Sequence, residues 1–92
     1  MTAEEQRLQE FFTAIIIDDI VEVRETLSVY PEATGWLTPT EYPPLHLAIL
    51  NHRPEIAVML AEHGADLGQK ARGESAASMA ARKGMLEILQ EA

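Results

Sequence analysis

Apolar residues recur at helical steps along most of this chain. Leu8, Phe11, Phe12, Ile15 and Ile16 fall three and four apart, which places them on one broad helix face. Thr2 followed by Glu5 has capping-box spacing and predicts a first helix from Ala3. Asp18 and Asp19 interrupt the run. Their charge suits the start of a second helix, from Ile20 to about Val29, with Ile20, Val23 and Leu27 on one face and Pro31 at its end. Pro44 and Pro54 each open a further helix at the first-turn position that tolerates proline. Leu45, Ala48 and Ile49 form the inner stripe of the third helix; Ile56, Met59 and Leu60 form that of the fourth. Gly64 stops the fourth. Ser75 caps a fifth helix over 76–83, Gly84 breaks it, and a sixth begins at Leu86 and runs to 92.

Two stretches fall outside this pattern. Residues 31–43 hold Pro31, Gly35, Pro39 and Pro43 among threonines, which predicts an extended or hairpin-like connector carrying Trp36 and Leu37. Residues 65–74, with Gly68 and Gly73, form a second connector. Short helix, tight turn, short helix, connector is a cycle that occurs three times. Ala14, Ala48 and Ala80 align it at spacings of 34 and 32 residues, each followed by a turn and a second apolar stripe. Such a period belongs to solenoids. The chain reads as one domain, 1–92, with units of about 3–36, 37–68 and 69–92, the last stopping within its second helix.

Composition narrows the function classes. The chain has 92 residues, 47% of them hydrophobic, which suits one small folded domain rather than a disordered segment. It has no Cys, so a disulfide scaffold, a thiol nucleophile and a cysteine-bound zinc site are excluded. The longest apolar run, residues 11–17, is far short of the roughly 20 needed to span a bilayer. The acidic N-terminus fits neither a secretory signal nor a transit peptide, and a cytoplasmic location is expected. The net charge of −8 argues against nucleic acid as partner, because phosphate contacts need clustered Lys and Arg. That charge is uneven. Residues 1–32 carry eight acids against Arg7 and Arg24, whereas residues 67–92 carry three acids against Lys70, Arg72, Arg82 and Lys83.

The middle unit resembles the ankyrin repeat family. Pro44-Leu45-His46-Leu47-Ala48, followed by Gly64-Ala65-Asp66, is similar to that family's Thr-Pro-Leu-His-x-Ala opening and Gly-Ala-Asp finger start. Asp18-Asp19-Ile20-Val21-Glu22-Val23 in the first unit and Ala80-Ala81-Arg82-Lys83-Gly84 in the third echo it. The resemblance implies an all-α fold: a helical solenoid of about three helix-turn-helix repeats joined by short extended or hairpin connectors. It also departs from the family. Pro43 replaces the capping Thr, so His46 keeps only part of its usual hydrogen bonding. His52 stands where a turn Gly is usual, and a left-handed backbone there has a cost. The second connector is one residue short, so its hairpin is expected to be small or irregular. The end of the chain leaves Met79, Met85, Ile88 and Leu89 in need of a cover.

The resemblance further implies a concave groove. The residues after the inner alanine pairs face it: Ile16 and Ile17, Leu50 and Asn51, Arg82 and Lys83. Connector residues Pro39, Thr40 and Tyr42, then Arg72 and Glu74, line it as well. Either Ile16, Ile17, Tyr42 and Leu50 form an exposed apolar strip, or the N-terminal turn covers the isoleucines. Trp36 either anchors an interface or packs inward. No His pair has the spacing that puts two metal ligands on one helix face. Ser75, His46 and Asp66 could be written as a triad, but no nucleophile elbow or phosphate loop accompanies them. The expectation is a non-enzyme without cofactor or metal that binds a partner protein. The alternatives are a small acidic inhibitor or immunity-type protein blocking a basic effector, and self-association through the C-terminal edge.

Overall fold

The computed structural model of the chain describes residues 2–91. Six helices follow the predicted order: α1 (Ala3–Ile16), α2 (Ile20–Val29), α3 (Pro44–Leu50), α4 (Pro54–Glu62), α5 (Ala76–Arg82) and α6 (Leu86–Gln90). The caps stand where side-chain chemistry placed them. The Glu5 amide donates to Thr2 Oγ1, the Glu22 amide to Asp19 Oδ1 and the Ser78 amide to Ser75 Oγ. The predicted position 92 at the end of the sixth helix lies outside the described residues, and the fifth helix ends one residue early.

The turns between paired helices repeat one hydrogen-bond pattern. The amides of Asp19, Arg53 and Met85 donate to the carbonyls of Ala14, Ala48 and Ala80 at 2.8, 2.8 and 2.7 Å. One residue earlier in each turn, Asp18, His52 and Gly84 have positive φ of 64°, 54° and 75°. This is the Schellman motif. The aligned alanines therefore hold equivalent places in three equivalent turns, and His52 does occupy the left-handed position.

The first helices of the pairs touch in a row, α1–α3–α5, and the second helices in another, α2–α4–α6. Between the rows lies a core of Phe11, Ile15, Leu27, Leu45, Ile49, Ile56, Leu60 and Met79. Helix α3 is flanked on both sides, and Pro44 through Ile49 are all buried. Met59, expected inward, is half-buried, and Ala57 fills the stripe instead.

Two expectations need correction. Residues 31–35 are a 3₁₀ helix, Pro31–Gly35, that buries Ala33. Pro31 opens this turn after ending α2, so the connector is extended only from Trp36 onward. At the C-terminal edge Met79, Met85 and Leu89 are buried by the chain's own helices, leaving Ile88 exposed. The short α6 folds back on α4 and α5 and supplies the cover itself. The second connector forms the small hairpin foreseen: β1 (Lys70–Ala71) pairs antiparallel with β2 (Glu74–Ser75). The turn between them, Arg72-Gly73, has positive φ at both residues, as a type I′ turn requires.

Candidate functional site

The first connector builds a cleft against α1. Trp36 packs inward, edge-on to Phe11 with ring centroids 5.5 Å apart, and lies 5.8 Å from Tyr30. Its backbone is extended, so the following side chain points the other way. Leu37 is thereby left 51% exposed. The tip then closes on itself. The Glu41 amide donates to the Thr38 carbonyl at 2.8 Å, the Thr38 amide donates to the Tyr42 carbonyl, and the Tyr42 amide donates to Thr38 Oγ1. This hairpin-type turn holds Pro39 and Thr40 opposite the helix. Leu37, Thr38, Pro39 and Thr40 face Leu8, Phe12, Thr13 and Ile16 of α1, with Leu47 of α3 between them, around a space of about 590 Å³. Glu5 is the one charged residue among those lining it.

Ile16, at 43% exposure, lies in this cleft with Pro39 and Thr40. The N-terminal turn therefore does not cover it. Ile17 is 63% exposed but lines a different depression, beside Gln6, Glu10, Asp19 and Glu22. The two isoleucines do not share one strip, because consecutive helix positions diverge by about 100°. Leu50 is 37% exposed at the end of α3. Asn51 caps that helix, its Nδ2 donating to the Leu47 carbonyl at 2.9 Å.

A second group gathers around the hairpin. The Arg72 guanidinium lies 5.7 Å from the centre of the half-buried Tyr42 ring, which is 6.3 Å from the His46 ring. His46 is fully buried, and its Nε2–H donates to the Glu74 carbonyl at 3.0 Å. Its Nδ1 is buried without a hydrogen-bond partner among the described residues, the shortfall expected of a repeat with Pro43 before the helix. Arg82 grips the Glu74 carboxylate from Nε and Nη2 at 3.2 and 2.8 Å. Those hydrogen bonds, followed by the attraction of the guanidinium charge, hold the Glu74 carboxyl below its ordinary value. Lys83 is half-buried at the end of α5.

Eight cleft residues were not foreseen from the sequence: Glu5, Leu8, Gln9, Phe12, Thr13, Leu37, Thr38 and Leu47. A signal existed for Leu37, since two consecutive large apolar residues in an extended stretch cannot both face inward. Arg53 was missed too. Its Nε and Nη2 both donate to the Ile16 carbonyl, at 3.1 and 2.7 Å, which satisfies the C-terminus of α1 from the next helix pair.

The remaining histidines have structural places. His63 Nδ1–H donates to the Met59 carbonyl at 2.8 Å, and His52 forms its turn. Among the described residues no three of His, Asp and Glu converge as metal ligands would. Ser75 Oγ and Asp66 Oδ1 accept from the amides of Ser78 and Gly68, so the triad written from the sequence is not assembled. No helix among the described residues is long and apolar enough to cross a membrane.

Residues 40–69 match the family model described as ankyrin repeat. No match was found among curated proteins or among solved structures. The matched stretch runs from the tip of the first connector through α3, its Schellman turn and α4 to the start of the hairpin. The resemblance carried by Pro44-Leu45-His46-Leu47-Ala48 and Gly64-Ala65-Asp66 thus has a family model behind it: residues 40–69 are similar to an ankyrin repeat.

Proposed function

We propose that this chain is a non-catalytic binding module in which three helix pairs stack as a short solenoid. It grips a partner protein along the face made by α1, α3, α5 and the two connectors. Ankyrin repeats are generally protein–protein interaction modules and typically non-catalytic, which supports the class. The two rows of helices and the thrice-repeated Schellman turn support the stacking of units near 3–36, 37–68 and 69–92. One observation carries the binding surface. Ile16 and Leu37 stay outside the core and line one cleft between α1 and the first connector, with Leu50 exposed at the end of α3. Tyr42, Arg72, Glu74 and Arg82 would supply the polar end of the same face, and Asn51 and Lys83 its rim. Self-association through the C-terminal edge would rest on Ile88, since Met79, Met85 and Leu89 are buried.

The test starts from capture of a partner on the immobilised chain. Leu50→Asp is expected to weaken that partner's binding about tenfold or more, while the helical circular-dichroism signal stays intact. Equal affinity for the wild type, Leu50→Asp and Tyr42→Ala would overturn the assignment of this face.

A further inference from the structure

We infer that the cleft between α1 and the first connector takes a basic segment of the partner protein, anchored by a large apolar side chain with Lys or Arg beside it. The inference rests on the protein-binding reading and adds the chemistry of the occupant. Two observations carry it.

The first is the shape and lining of the space. Phe12 and Leu47 are nearly buried and form its floor, while Ile16 and Leu37 stand half-exposed as its walls. At about 590 Å³ it exceeds one side chain and admits an apolar anchor with its neighbours. The second is charge. Glu5 is the charged residue of the lining, Glu41 directly follows the lining segment, and α1 adds Glu4 and Glu10. Two nearby cations keep their charge and offset these acids only in part. The Arg7 guanidinium lies 4.4 Å from the centre of the Tyr30 ring, and Arg53 is bound to the Ile16 carbonyl. Glu74–Arg82 is the one ion pair among the described residues, so the acids of α1 and α2 have no ion-pair partner there. A basic segment is drawn to this end and an acidic one repelled.

The experiment uses the full chain and three fluorescein-labelled peptides of one length, built of leucine and lysine, leucine and glutamate, and serine and lysine. Fluorescence anisotropy is expected to show the leucine–lysine peptide binding at least about tenfold more tightly than the other two. Leu37→Asp and Ile16→Asp are each expected to weaken it about tenfold, although each adds a negative charge that would strengthen purely electrostatic adhesion. Val29→Asp adds the same charge at an exposed site outside the cleft and is expected to leave binding unchanged or slightly tighter. Glu5→Lys is expected to weaken it about threefold and flatten its salt dependence. Circular dichroism of each variant confirms that the helices remain. Equal binding of the leucine–glutamate peptide overturns the basic occupant, and if Leu37→Asp still abolishes it, the cleft survives as a protein-binding site. Loss in Val29→Asp equal to that in Leu37→Asp, or no loss in Leu37→Asp, overturns the cleft.

Discussion

The two connectors do the same topological job by different physics. Residues 31–43 are held by apolar packing: Trp36 leans on Phe11 and Tyr30, and Ala33 is buried beneath. Residues 65–74 bury only the small Ala71 fully and add polar bonds. These are a two-residue ladder, the His46 bond to the Glu74 carbonyl and the forked Arg82–Glu74 contact. The first leaves an apolar cleft with acidic surroundings; the second leaves a charged ridge. The difference teaches that two connectors between similar helix pairs can carry opposite chemistry without changing the helices beside them.

The comparison can be broken first at Trp36. Trp36→Ala is expected to cost about 3 kcal/mol, because the ring bridges the connector to α1 and its loss opens a cavity. Urea denaturation reads this as a lower midpoint at unchanged slope; a loss below about 1 kcal/mol would show that the packing contributes little. His46→Ala, the matching lesion at the second connector, is expected to cost about 2 kcal/mol. It removes a buried ring and leaves the Glu74 carbonyl short of a donor. Hydrogen exchange then separates the two. Trp36→Ala should loosen amides near 33–42, and His46→Ala those near 70–77. Loosening of both regions by either variant would contradict independent anchoring.

Smaller changes sharpen it. Glu41 and Arg72 hold left-handed backbone, with φ of 67° and 52°. Glu41→Gly is expected to stabilise the chain by up to about 1 kcal/mol. Arg72→Gly should gain less, because it also removes the guanidinium from the Tyr42 ring. A gain at Arg72 exceeding that at Glu41 in thermal melts would mean that the cation over the ring contributes nothing.

The smallest effect belongs to the Glu74–Arg82 pair, which solvent screens. Its sign is fixed. The Glu74 carboxyl is held below its ordinary value of 4.5, so the stabilisation is present above that value and fades as pH falls through the lowered one. Arg82 is raised by the same contact and stays charged throughout this range. Urea midpoints of the wild type and Glu74→Gln should therefore converge as pH drops from neutral to about 3.5. Curves that stay parallel would assign the pair no role.

The helices were legible in the sequence because their ends carry local signals. Thr2, Asp19, Pro44, Pro54 and Ser75 start helices by their own chemistry, and Gly64 and Gly84 stop them. The repeat was legible because Ala14, Ala48 and Ala80 face the same crowding in each turn. The site was less so. Ile16, Pro39 and Thr40 line one cleft, yet Ile17 lies in another depression and Leu37 went unnoticed. The cleft depends on which way Trp36 turns, and only packing against Phe11, 25 positions earlier, decides that. The closed C-terminal edge was also hidden, since five residues of helix give no sign in sequence of where they fold back.

Position 16 divides its labour between two parts of one residue. The side chain stands in the cleft, while the carbonyl receives the Arg53 fork that ties the first helix pair to the second. Every amino acid presents that same carbonyl. Selection can therefore rewrite what position 16 recognises, from isoleucine to any other surface, without loosening the joint behind it. Drift at Arg53 is the reverse case: it would slacken the joint while leaving the cleft-facing surface chemically untouched.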